Sequence, residues 1–271
     1  MRKINITIPY SLVTANGDYR KFLLTTYIYF YLRCGADGIV YSNLSNILSR
    51  GCGYSKNMTS VRKKTIYKQL KQAIQFMQEK EYIGYIIDED TGEIIDINDA
   101  MPEQSLVFDV ATTHEMMRER FGILSYNDYM TIKNTRSPSF WKMITVYMFF
   151  VVNTFFSTGE DISQASYWSA SYKKLSETLQ DEFSERTMIT ICKTLQDLNL
   201  ISMKPFYWQT DDKKRPPLCL GNVFIVNGNS SSKEIEDRLY EAYYDAKHSF
   251  IEYRRQNILE DAAETFAEKG A

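Results

Sequence analysis

The sequence predicts a mainly α protein with small β-hairpins, an α+β chain in which one helix, helix, helix, hairpin module occurs twice and a C-terminal helix follows. Three observations predict it. Short segments recur about 120 residues apart. Each set of recurrences ends in two apolar runs separated by a polar turn, as hairpin strands are. With 271 residues and 44% apolar content, the chain can form two ordinary cores.

In chain order, ITIPYSLV reads as a short strand or extended lead-in, and Asn16-Gly17-Asp18 as a turn that opens the first helix. That helix contains TTYIYF at 25–30, and TVYMFF at 145–150 repeats its Thr, Tyr and Phe at the same spacing. Next, YSNLSNIL at 41–48 matches YKKLSETL at 172–179, with Tyr41/Tyr172, Leu44/Leu175, Ser45/Ser176 and Leu48/Leu179 in register. In the third helix, Thr65 aligns with Thr187, which puts Ile66 with Met188 and Leu70 with Cys192 on the inward face. The hairpins then pair YIGYII with SLVFDV around an acidic loop, and ISMKPFYW with CLGNVFIV around DDKKRPP. This is the order of a winged helix, a helix-turn-helix module whose third helix enters the major groove of DNA and whose hairpin flanks it. The expected domains are a winged helix over 1–111, a connecting helix and linker over 112–136, a second winged helix over 137–228, and a flexible joint with an acidic amphipathic C-terminal helix over 229–271.

Charge points to the partner. The chain as a whole carries −2, yet Gly38 to Gln78 holds seven bases, Arg50, Lys56, Arg62, Lys63, Lys64, Lys68 and Lys71, and not one acid. In the helix that closes this stretch, Ile66, Leu70, Ala73, Ile74 and Met77 form an apolar stripe, so Lys64, Tyr67, Lys68 and Lys71 are expected to face outward. A segregated basic face of this kind suits an anionic partner, with double-stranded DNA the first candidate. In the second copy, Ser184 is placed to cap a helix whose Met188, Cys192, Leu195 and Leu198 face inward, leaving Arg186, Thr190 and Lys193 outward. Its hairpin tip adds Lys213, Lys214 and Arg215, whereas the first tip, DEDTGEIIDIND, is acidic. The glycine of that acidic tip stands at the fifth position, out of place for a calcium loop.

Other chemistry has little to work with. Cys34, Cys52, Cys192 and Cys219 form no CxxC pair, which fits reduced thiols in a cytoplasmic protein, and His114 and His248 stand apart from any second ligand. No glycine loop follows an apolar strand, so no metal, cofactor or catalytic group is implied. The start, MRKINITIPY, lacks a secretory apolar stretch, and MITVYMFFVV at 143–152 is too short to span a membrane. The tail spaces Ile235, Leu239, Tyr243, Ala246, Phe250 and Tyr253 along one stripe. That stripe either packs on the chain's own domains or pairs with a partner helix or a second copy, as a homodimer.

The tandem modules, the lead-in NITIPYSLV and the SERT…LQDLNLI helix resemble the two-winged-helix replication initiators of plasmids and phages and their DnaD-like relatives. The resemblance implies binding to double-stranded DNA at repeated sites, recruitment of host replication proteins and no catalysis by the initiator itself. The chain departs from that pattern in its near-neutral charge and its acidic first wing. A winged-helix transcriptional regulator is the alternative within the same class, and a protein-docking module that binds no DNA is the alternative outside it.

Overall fold

The computed structural model describes residues 5–54, 59–110, 120–135, 137, 140–154, 167–179, 183–208, 218–228 and 230–269. Strand β1 (Asn5–Pro9) runs into a short helix α1 (Tyr10–Thr14) and then α2 (Arg20–Arg33), an almost wholly buried helix. Two hydrogen bonds tie this lead-in to the body: Tyr27 donates to the Thr7 carbonyl at 3.0 Å, and the Ser11 and Tyr82 hydroxyls share a bond of 2.8 Å. Strand β2 (Ile39–Ser42) follows, then α3 (Leu44–Asn46), which passes directly into a π-helical turn over Ile47–Gly51. Asn43 caps α3 by accepting from the Asn46 N–H, and the Cys52 N–H closes the wide turn on the Ile47 carbonyl at 3.0 Å.

Helix α4 (Ser60–Glu79) buries Ile66, Leu70, Ala73, Ile74 and Met77, the expected stripe. It is followed by β3 (Ile83–Asp88) and β4 (Leu106–Val110), which with β2 form an antiparallel sheet in the order β2-β4-β3. Strand β5 (Phe121–Ser125) leads into α5 (Tyr126–Asn134), and α6 (Phe140–Thr154) carries the most apolar run of the sequence. Beyond α6 come β6 (Trp168–Ala170), α7 (Tyr172–Thr178), α8 (Glu185–Asp197), β7 (Ile201–Trp208) and β8 (Leu218–Val226). These strands form a second antiparallel sheet, β6-β8-β7, with the same strand order as the first. Helix α9 (Ser232–Lys269) completes the chain.

The protein is thus a mixed α and β chain whose element order and sheet order recur. Even the turn after the third helix is repeated. Glu81 and Asn199 both adopt left-handed backbone (φ 60° and 57°), and the following N–H groups of Tyr82 and Leu200 reach back to the Met77 and Leu195 carbonyls at 2.8 and 3.0 Å. That six-residue closure satisfies otherwise orphaned helix carbonyls and turns the chain into β3 or β7.

Three features differ from the sequence expectation. First, β2 and β6 add a third strand to each hairpin, so Tyr41 lies in a strand rather than a helix. Second, the stretch read as connecting helix and linker contains β5, which pairs antiparallel with β1 from Asn5↔Ser125 to Pro9↔Phe121; the part of that expected helix over 111–119 lies outside the described residues. Third, the chain divides into compact units Met1–Val152 and Asn153–Ala271 rather than near 112–136. Most of α6 therefore groups with the first unit, and the packing explains it. Gly122 of β5 lies so close to α6 that an added Cβ would stand 2.7 Å from Val152 and 3.0 Å from Val151, and the Tyr147 hydroxyl donates to Asp128 of α5 at 2.9 Å.

The C-terminal segment also differs. Asn227 is tied to the body rather than free: its N–H bonds the Leu200 carbonyl, its amide bonds the Asn199 carbonyl, and beside it Arg238 donates to the Val226 carbonyl at 2.9 Å. Ser231 and Glu234 form a reciprocal cap on α9, with Glu234 accepting from the Ser231 N–H at 2.6 Å. Ile235, Ala242 and Ala246, with Leu239 beside them, share a core with Val223 and Ile225 of β8. The first half of α9 is therefore part of its own unit's core. Among the described residues, no helix is long and apolar enough to cross a membrane.

Candidate nucleic-acid interface

Helix α4 distributes its bases to two sides. Lys63, Lys64, Lys68 and Lys71 line a groove of about 480 Å³ that is closed on the other side by Asn98 and Pro102 of the loop between β3 and β4. Lys63, Lys64 and Lys68 are exposed along the N-terminal half of the helix, where no acid stands in the first turn. Lys71, one turn further, is half-buried and donates to the Asn98 carbonyl at 2.6 Å. Burial lowers its basicity, while Asp99 and Asp96 hold it up from nearby. One end of the groove is therefore positive and open, and the other is charge-balanced by the acidic loop.

Tyr67 requires a correction. It was expected on the outward face with the lysines but is only 8% exposed. Its hydroxyl bonds Ser45 Oγ at 2.7 Å, and Ser45 in turn donates to Glu103 at 2.5 Å. Since Ser45 has a single proton and spends it on the carboxylate, Tyr67 is the donor in the first bond. The chain Tyr67–Ser45–Glu103 ties α4, α3 and the loop before β4 to each other, and Tyr67 is itself part of the lining of the lysine groove.

The acidic hairpin tip is organised by its own side chains. Asp88 accepts from the Asp90 and Thr91 N–H groups and from the Gln104 amide at 2.6 Å, and these bonds, the Gln104 one foremost, hold its carboxyl below the usual carboxylate range. Among the described residues no cluster of His, Cys, Asp or Glu could hold a metal ion.

In the second unit, Ser184 caps α8 by accepting from the Thr187 N–H at 3.3 Å. Met188, Ile191, Cys192 and Leu195 are buried, and Arg186, Thr190 and Lys193 stand exposed one turn apart on the outer face. Leu198, expected inward, is half-buried at the helix end, and Leu200 takes the buried place. The Thr190 hydroxyl donates back to the Arg186 carbonyl at 3.0 Å. Burial pushes the Cys192 thiol up to about 12, and Cys52 is likewise raised by burial, which favours the protonated thiol at both. Lys56, Lys213, Lys214 and Arg215 lie outside the described residues.

Within the basic stretch from Gly38 to Gln78, the two arginines part from the lysines. Arg50, on the π-helical turn, and Arg62, in the first turn of α4, line a second cleft together with Lys133 of α5. Lys133 had no sequence signal, since it stands far along the chain from both arginines and in a stretch read as linker.

No protein-family model matches this chain, and no curated protein matches it significantly.

Proposed function

We propose that the protein is a sequence-specific double-stranded DNA-binding protein, built as tandem winged-helix modules and acting as the replication initiator of a plasmid, phage or mobile element. The observation that carries the reading is the open end of the α4 groove, where Lys63, Lys64 and Lys68 stand exposed on one helix without a neutralising acid in its first turn. A helix-width ridge with bases at its N-terminal half is the shape that enters a major groove. The repeated sheet order, with a helix ahead of each hairpin, α4 before β3 and β4 and the Ser184-capped α8 before β7 and β8, supports the module type. Exposed Arg186, Thr190 and Lys193 on α8 give the second module a reading face in which an arginine pairs a guanine edge. The initiator role rests on the resemblance of the lead-in and the α8 segment to that group. Recruitment of host replication proteins follows from that role rather than from any surface described above.

Salt dependence tests the reading. If Lys63, Lys64, Lys68 and Lys193 each neutralise a phosphate, the log–log salt slope for a specific duplex is about −3 to −4. Lys64→Ala/Lys68→Ala then lowers the slope by about 2. Unchanged affinity and slope in that double variant would refute the assignment of α4. A genome-wide pull-down of bound DNA tests the role, because an initiator returns repeated sites beside its own gene.

A further inference from the structure

The cleft holding Arg50 and Arg62 has a composition that duplex binding does not require. It measures about 550 Å³, within the roughly 300–1,000 Å³ span of small-ligand pockets, and lies among the π-helical turn, the start of α4, the end of α5 and the start of α6. Its described lining contains Arg50, Arg62 and Lys133 and no carboxylate. All three are exposed. Lys133 lies over the Tyr129 ring at 5.3 Å and bonds its hydroxyl at 3.3 Å. Burial pushes that hydroxyl up to about 12, so it stays neutral and leaves the ammonium charge uncompensated. Three aromatic residues, Tyr54, Phe140 and Trp141, each half-buried, line the cleft beside Ser49, Gly51, Cys52, Gly53 and Ser137, and the Lys142 ammonium lies 5.5 Å from the centre of the Trp141 ring. Tyr54 is held in place by its N–H bond to the Leu48 carbonyl at 3.1 Å and by Phe22, whose ring centre lies 5.4 Å away.

Two arginines and a lysine without an acid are a phosphate site in chemical terms, because guanidinium forks match phosphate oxygens. Aromatic faces beside such a site add stacking, which every base offers once it is unpaired and which a duplex withholds inside its own stack. We propose that this cleft binds a single unpaired nucleotide unit, its phosphate held by Arg50, Arg62 and Lys133 and its base against Trp141. The inference deepens the nucleic-acid reading and rests on it for its biological sense: α4 would direct its lysines to a duplex and Arg62 to an unpaired nucleotide. The unit comes either from a single strand or from a free nucleotide, and the two sources share this chemistry.

Tryptophan emission of the full-length protein provides the test, with octathymidylate, ATP and inorganic pyrophosphate as probes. The expected result is saturable quenching by a nucleotide probe that disappears in Trp141→Phe, which retains Trp168 and Trp208. Arg50→Ala/Lys133→Ala changes exposed side chains only and should weaken that binding about tenfold or more per base removed. Quenching by octathymidylate but not by ATP assigns the cleft to a strand, and equal quenching by ATP assigns it to a free nucleotide. No quenching overturns the proposal, as does quenching that survives in Trp141→Phe or is unaltered in Arg50→Ala/Lys133→Ala. Pyrophosphate binding as tightly as both nucleotide probes overturns it too, since the base would then contribute nothing. Lys64→Ala/Lys68→Ala keeps the two readings separate: it should weaken duplex binding and leave the Trp141 signal intact, so a failure of either reading shows in its own readout.

Discussion

Tyr67→Phe separates a structural tyrosine from a nucleic-acid contact. The ring stays where it is, because Ile66, Leu70 and the rest of the α4 stripe are untouched, and only the hydroxyl that donates to Ser45 at 2.7 Å is lost. Ser45 still donates to Glu103, so its oxygen becomes a buried acceptor without its donor. A net hydrogen bond contributes about 0.5–1.5 kcal/mol, and an unsatisfied buried partner costs about 1–3 kcal/mol, so a loss of about 1–2 kcal/mol is expected. For a unit of roughly 150 residues this lowers Tm by about 2–8 °C. Differential scanning calorimetry reads the shift, and a Tyr67→Phe/Glu103→Ala cycle reads the coupling across Ser45, expected to be non-additive because the three groups share one network. The salt slope of DNA binding should stay unchanged. A variant with unaltered Tm but weakened DNA binding would refute this reasoning and return Tyr67 to the outer face.

Glu81→Gly should raise stability by about 1 kcal/mol, since Glu81 occupies left-handed backbone at φ 60° that costs a side chain and not glycine; urea titration measures it. Gly122→Ala should lower stability by about 1–3 kcal/mol, because the added methyl meets Val152 and Val151 within 3.0 Å, and thermal melting detects it. Arg186→Ala should relax sequence discrimination by about 1–3 kcal/mol at one base pair while leaving non-specific binding nearly unchanged; competition with mutated sites measures it. Cys192, with its thiol pushed up to about 12 by burial, should resist a thiol reagent in the native protein near neutral pH and react once the protein is unfolded.

The repeated modules were legible because each local pattern had a physical period. The stripe Ile66, Leu70, Ala73, Ile74 and Met77 follows the helical repeat, Ser184 precedes a helix as a cap does, and the hairpin strands are apolar runs split by polar turns. Tyr67 was misplaced because it adjoins the stripe, where an aromatic ring can bury its body and reserve its hydroxyl for a partner that sequence does not reveal. Pairing of β1 with β5 joins segments more than 100 residues apart, and its one trace is that Tyr10 and Tyr126 each follow directly on a strand. Strand β2 runs into the YSNLSNIL pattern and β6 lies ahead of YKKLSETL, and their four and three residues carry too little alternation to be read as strands. The cleft of Arg50, Arg62 and Lys133 exists only once α5 is folded back beside the π-helical turn, which no local period encodes.

The tail decides how much of the C-terminal segment belongs to the second unit. Its stripe was legible, but whether it packed in cis was not, and two truncations now give opposite expectations. Cutting after Ser231 removes Ile235, Leu239, Ala242 and Ala246 from the core they share with Val223 and Ile225. It also removes Tyr243 and Phe250, whose rings meet Phe206 edge-on at 5.8 and 5.7 Å, and Arg238, which bonds the Val226 carbonyl. Loss of Ile235 alone is comparable to a large-to-small core substitution at about 2–5 kcal/mol, and the whole set exceeds the stability of a small unit. The chain cut after Ser231 should therefore lose the cooperative transition of its second unit at every protein concentration. Cutting after Glu252 keeps all these groups and removes four acids and three bases, which leaves net charge almost unchanged. That protein should melt close to the full chain and bind duplex DNA with the same salt slope. A normal melt after the first cut would show that α9 contributes nothing to the core; a concentration-dependent fall in Tm after the second would show that residues beyond 252 hold two copies together.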